Sequence, residues 1–193
     1  MSLDLPLLFA LVLAFAVAMY VVMDGFDLGI GILFPFAPED ADRDMMMNSI
    51  APIWDGNETW LVMGGTLLIG AFPVAYATLL PAFYIPLMAM LFALIFRGIA
   101  FEFRFRATRF RRFWDWSFAG GSALAGFCQG LVLGGFIDGV PIRDNIFAGT
   151  AFGFLSPFAV ACGLGLMPGY ALLGAGWLIF SCSAVKKSIS SSF

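Results

Sequence analysis

The chain has 193 residues, of which 61% are hydrophobic, 17% aromatic and 12% charged. Soluble domains carry about 25% charged residues, and the apolar runs here are continuous where barrel strands would alternate, so the composition excludes a soluble fold and a β-barrel and specifies an all-α membrane protein. The net charge of −3 identifies no partner, and nucleic acid is excluded because the arginine cluster has no soluble fold to display it.

A helix crosses a bilayer with about 20 apolar residues. The first such run is Leu5 to Met23, nineteen residues without a charge. It continues past Asp24 and Asp27 toward Phe36, where Pro35 and Pro38 stop it. Met1-Ser2-Leu3-Asp4 carries no cation and the run exceeds the length of a signal-peptide core, so it reads as an uncleaved span. A polar loop, Glu39 to Asp44, follows. The second span is expected over Trp60 to Ala77, with a turn at Leu80-Pro81. The third covers Ala82 to Phe96, or as far as Phe101, and an arginine-rich loop comes next. The fourth runs from Trp116 to Ile137 and closes at Asp138-Gly139-Val140-Pro141, with Arg143-Asp144-Asn145 extending the loop. Ser156-Pro157 has the form of an N-cap and first-turn proline. It opens a fifth span reaching Phe180, with a kink expected near Pro168-Gly169.

The cations orient these five spans. Short loops rich in Lys and Arg stay in the cytoplasm. With the N-terminus periplasmic, Arg43, the six arginines of the Arg97–Arg112 loop, Lys186 and Lys187 all fall inside, and only Arg143 falls outside. Trp54, Trp60, Trp114 and Trp116 then lie near the cytoplasmic interface, where amphipathic rings settle.

Two acidic clusters acquire a meaning from that orientation. Asp24-Gly25-Phe26-Asp27 ends the first run, and Trp54-Asp55-Gly56-Asn57-Glu58 precedes the second. A carboxylate at a helix centre costs about 2.5–3.5 kcal/mol on insertion. Asp24 with Asp27, and Asp55 with Glu58, are spaced i, i+3 and share a helix face. The two helices should pack antiparallel and form one acidic entrance on the cytoplasmic side. Crowded carboxylates at low dielectric exchange protons, so protons are the expected cargo. The bland alternative is that the four acids are solvated helix ends.

Other residues point to packing. Gly126, Gly130 and Gly134 form a stripe on the fourth span, as do Gly25 and Gly29 on the first, and such stripes let membrane helices approach closely. Gln129 is the one strongly polar side chain deep in the fourth span and is expected to hydrogen-bond a neighbouring helix. Cys128, Cys162 and Cys182 form no CxxC pair and read as small apolar residues. The chain has no histidine, the commonest metal ligand and usual haem ligand, so no haem iron or zinc is expected here.

The run Asp24-Gly25-Phe26-Asp27-Leu28-Gly29-Ile30-Gly31, followed by Asn48-Ser49-Ile50-Ala51-Pro52-Ile53-Trp54-Asp55-Gly56-Asn57, strongly resembles subunit II of the bacterial cytochrome bd-type quinol oxidases. Trp114-Asp115-Trp116 and Gly139-Val140-Pro141 agree, and the resemblance spans Leu5 to Leu178. Phe127-Cys128-Gln129-Gly130 is closer to the cyanide-insensitive branch. The resemblance implies a complex that oxidises quinol, reduces dioxygen to water and builds proton-motive force without pumping, in the bacterial inner membrane. It assigns two b-type haems and one d-type haem to a partner subunit I and leaves subunit II haem-free. Membrane lipid and quinone are the small-molecule partners it allows. Asp55 would belong to a cytoplasmic proton path toward the haems, with Asp24 beside it, and Glu58 and Asp27 join them by position.

The family pattern also has about eight spans in two four-helix bundles. Five spans would complete one bundle and start a second, so residues 1–180 read as an incomplete transmembrane domain. Residues 181–193 read as a polar tail foreign to the family. A truncated or frameshifted product, inactive alone, is the expectation. The competing functions are a proton-coupled transporter, against which the absence of an internal repeat counts, and a purely structural assembly subunit.

Overall fold

A computed structural model describes residues 4–107 and 109–190, with side chains described as far as Ser181. Helix α1 spans Leu5–Leu33. Asp4 caps it by accepting from the Leu7 amide at 3.4 Å, and a 3-10 turn over Phe34–Phe36 ends it at Pro35, as the prolines predict. At 1.5 Å per residue, Leu5 to Asp24 covers about 28 Å, close to the hydrocarbon thickness. The two aspartates therefore sit at the far end of a span that starts at Leu5.

The expected polar loop is instead a helix, α2, over Asp40–Ile50. Asp40 and Asp42 favour its N-terminal turn, while Met46, Met47 and Ile50 bury against Phe34, Ala100 and Phe118. Burial of that apolar face, which depends on helices distant in sequence, decides the conformation.

Helix α3 is Trp54–Ala71 and α4 is Pro73–Phe103. The reversal between them falls at Phe72-Pro73, not at the expected Leu80-Pro81. Proline is favoured at a first helical position, whereas Pro81 and Pro86 lie inside α4. There Phe83 leaves helical geometry (φ −114°, ψ 18°), so the sequence's proline signal is a kink. The helix also continues past Phe96 and Phe101, which moves Arg97 out of the expected loop and into the helix.

Helix α5 is Arg111–Asp138. A small hairpin follows, β1 (Ile142–Arg143) paired antiparallel with β2 (Ile146–Phe147). Asp144 and Asn145 at its tip have φ of 50° and 61°, the left-handed pair that a tight two-residue hairpin turn requires. Helix α6 is Pro157–Ser190, and Ser156 caps it by accepting from the Ala159 amide at 2.9 Å. The Cys182 side chain, Lys186, Lys187 and the end of the expected polar tail lie outside the described side chains.

Helices α1, α4, α5 and α6 share one core, in which Leu28, Met90, Leu94, Ala125, Cys128 and Tyr170 pack together. The glycine stripes account for the place of α6. A methyl group on Gly29 would stand 1.8 Å from the Tyr170 carbonyl oxygen. One on Gly130 would stand 2.5 Å from Gly163 Cα, and one on Gly134 2.4 Å from Ala159 Cα. Both stripes therefore grip α6, so the fifth expected span packs closely against α1 and α5. Helix α3 packs against α1 and reaches the edge of this core through Leu61. Among the described residues four helices are long and apolar enough to cross a membrane, α1, α4, α5 and α6. The expected second span begins in α3, which Asp55 and Glu58 keep out of this set of four, although it runs antiparallel alongside α1 from Asn57 at Asp27 to Phe72 near Leu5.

Candidate functional site: a buried arginine among carboxylates

The spacing of Asp24 and Asp27 places both on one face of α1, where they are fully buried. Opposite them Arg97 projects from α4, also fully buried. Glu58 reaches the same point from α3. Arg97 Nη1 donates to Glu58 Oε1 at 2.9 Å. The same nitrogen is 3.9 Å from Asp24 Oδ1, and Nη2 is 3.8 Å from Asp27 Oδ2. Asn57, one residue before Glu58, donates to Asp27 Oδ2 at 2.9 Å and to the Met23 carbonyl at 3.3 Å, tying α3 to α1.

Aromatic rings close the cage. The Arg97 guanidinium lies 5.5 Å from the Phe101 ring centre and 5.8 Å from that of Phe118, within cation–π reach. Trp54 stacks on Phe101 with centroids 4.9 Å apart and shields the side toward α3. The Glu58 side chain is 23% exposed and is the cage's link to the outside. Both oxygens of Asp24, Oδ1 of Asp27, and Nε and Nη2 of Arg97 have no hydrogen bond of good geometry. Such unmet groups are costly at low dielectric.

Three of the four acids singled out in the sequence thus converge, and Asp55 does not. It is exposed in the first turn of α3. The residue that sequence reasoning missed is Arg97, counted there as a loop cation. A signal was present: Gly98-Ile99-Ala100-Phe101 continues the apolar run beyond it, so the arginine interrupts a helix and does not end one.

A second ionic group lies about 10 Å further along α4, two helical turns on. Arg104, the α4 C-cap, is buried and donates to Asp44 of α2 and Asp115 of α5. Arg111 also donates to Asp44, and Arg43 pairs with Asp40 at 3.2 Å and with Asp115 at 3.9 Å. The guanidinium of Arg104 packs 5.2 Å from the Phe34 ring centre. Partial burial works against the charged form of Asp44, but the hydrogen bonds and charges of Arg104 and Arg111 outweigh it. They hold its carboxyl below the usual carboxylate range.

On the other side of Asp24 a polar chain crosses three helices. The Tyr170 hydroxyl on α6 donates to Gln129 Oε1 on α5, and Gln129 Nε2 donates to the Tyr20 oxygen on α1 at 2.7 Å. The expectation that Gln129 bonds a neighbouring helix is met on both sides of its amide. Tyr20 stands one turn before Asp24 on the same face of α1, and its hydroxyl faces the Asp24 carboxyl without a hydrogen bond between them.

Residues 5–190 match the family model described as cytochrome bd terminal oxidase subunit II. The chain is 36% identical over 165 residues to a probable cytochrome oxidase subunit 2 of Haemophilus influenzae, covering 81% of this chain and 44% of that protein. It is 37% identical over 153 residues to cytochrome bd-I ubiquinol oxidase subunit 2 of Escherichia coli, covering 75% and 40%. A third relative, cytochrome bd ubiquinol oxidase subunit 2 of Bacillus subtilis, is 37% identical over 127 residues, covering 64% and 38%. The chain therefore spans about two fifths of the length of the curated relatives it matches.

Proposed function

Because the chain belongs to the cytochrome bd terminal oxidase subunit II family, we propose that it serves as the haem-free subunit of a quinol:dioxygen oxidoreductase in the bacterial inner membrane. In that role it scaffolds a haem-bearing subunit I and feeds it protons from the cytoplasm. The haems fit the partner better than this chain, which has no histidine to offer the iron.

One observation carries the proton reading: a single arginine stands among three carboxylates in a buried cage. One guanidinium neutralises one carboxylate. Three ionised acids would leave two uncompensated charges at low dielectric, which is prohibitive, so the cage reaches charge balance by binding protons. Arg97 itself stays charged and cannot give up a proton. Its part is to hold the three acids within a few ångströms of one another. Glu58, partly exposed, is the outer member, and Asp55 on the surface beside it collects protons. Asp24 and Asp27 are the inner members. The cation count supports a cytoplasmic position for this end and a periplasmic one for the N-terminus.

The test is Asp24→Asn in the assembled oxidase complex. Quinol-dependent oxygen consumption should fall by at least about tenfold, as for loss of a positioned proton carrier, while the reduced-minus-oxidised haem spectrum and assembly persist. Unchanged turnover would leave the acids a structural role only. If no haem-bearing subunit copurifies with the tagged full-length gene product, the oxidase reading itself fails.

A further inference from the structure

We propose that Tyr20, Gln129 and Tyr170 are positioning residues for Asp24: a one-way hydrogen-bond chain from α6 through α5 to α1 that aims a hydroxyl proton at its carboxyl. The proposal rests on the reading of Asp24 as a proton carrier and adds to it how that carboxyl is held.

The donors run in one direction. Tyr170 gives its proton to Gln129 Oε1, and Gln129 gives an amide proton to the Tyr20 oxygen. The proton of the Tyr20 hydroxyl is then left for Asp24, one turn along α1 and on the same face. A carboxylate at one end of such a chain polarises every bond toward itself and strengthens each of them. Neither oxygen of Asp24 has a hydrogen bond in this structure, from Arg97 at 3.9 Å or from Tyr20, so the free proton of Tyr20 and the unmet carboxyl one turn away are complementary. The groups facing Asp24 are Tyr20 and Asp27 from α1, Glu58 from α3, Arg97 from α4, Gln129 from α5 and Tyr170 from α6.

The packing around the chain is built for it. The Tyr170 ring lies between two glycines of different helices. A methyl group on Gly25 would come within 2.9 Å of its Cε1, and one on Gly126 within 3.2 Å of its Cδ2. The ring fills a slot that larger residues would close, and this fixes the hydroxyl opposite Gln129. Helix contact alone would be served as well by phenylalanine, and the buried hydroxyls and amide need partners that an apolar core would not demand.

Tyr20→Phe and Tyr170→Phe keep the rings and remove only the hydroxyls, so both should assemble. In the purified complex Tyr20→Phe should slow quinol-dependent oxygen consumption about tenfold, the size of one hydrogen bond to a charged group. Tyr170→Phe, acting through Gln129, should slow it about twofold. Tyr20→Phe should cost nothing further in an Asp24→Asn background, because the two act as one unit. The carboxylic C=O infrared band that Asp24→Asn removes should move to higher wavenumber in Tyr20→Phe. Equal losses in both backgrounds, or an unmoved infrared band, would overturn the chain while leaving Asp24 a proton carrier. A normal rate in Asp24→Asn would instead overturn the reading beneath it.

Discussion

Arg97 and Arg104 stand on the same helix, two turns apart, and are both buried, yet their surroundings differ in kind. Around Arg104 the charges balance: Arg43, Arg104 and Arg111 face Asp40, Asp44 and Asp115. The acids there are partly exposed, with Asp44 at 36%, so water can share the load. Around Arg97 one cation faces three acids, two of them fully buried. A balanced group of ions at an interface clamps α2, α4 and α5 together. A group with surplus acid is, in the function proposed above, one that changes its proton content. Charge bookkeeping and depth, rather than the number of ion pairs, separate clamp from carrier.

Replacing the two arginines tests that contrast most sharply. Arg97→Met should cost about 3–5 kcal/mol of stability, the scale for a buried partner left uncompensated, read as loss of assembled complex or a lower inactivation temperature. Arg104→Met should cost less, about 1–3 kcal/mol, because its acids can rehydrate. Turnover per assembled complex should then stay normal. The reverse order, or loss of turnover at Arg104 alone, would undo the distinction.

A smaller effect is expected from Asp55→Asn. An exposed acid that only collects protons can be bypassed through Glu58, so the rate should fall about two- to threefold. A fall equal to that of Asp24→Asn would extend the carrier group to the surface.

The smallest effect concerns acid. The folded state holds the Asp44 carboxyl below its unfolded value. Its stabilising contribution is therefore present above the unfolded value, about pH 4, and is lost as pH falls through the lower folded value. Stability measured from pH 6 downward should show this loss in the parent chain and a flatter curve in Asp44→Asn. Identical curves would mean that the clamp does not hold Asp44 ionised.

Much of the fold was legible because hydropathy is local. The limits of α1, the Ser156 cap, the hairpin-bearing loop and the glycine stripes could all be read from neighbouring residues. Helix α2 was not legible, since Met46 and Met47 form a core face only when Phe34 and Phe118 are present. Prolines misled in one place, because Pro73 starts α4 while Pro81 merely kinks it. At the candidate site the i, i+3 acids announced themselves, and Arg97 did not, because it lies among the arginines of a predicted loop.

From its residues alone this chain was committed to an all-helical membrane fold with carboxylates bordering its apolar runs, since the transfer energy of each segment depends only on its own composition. Which cation meets those carboxylates, and which helix the glycines receive, was settled by tertiary packing. The Arg97–Glu58 contact joins positions 39 apart and the Gln129–Tyr20 bond positions 109 apart. Such pairings follow from which helix faces lie opposite one another, a property of the packed bundle and of no single segment.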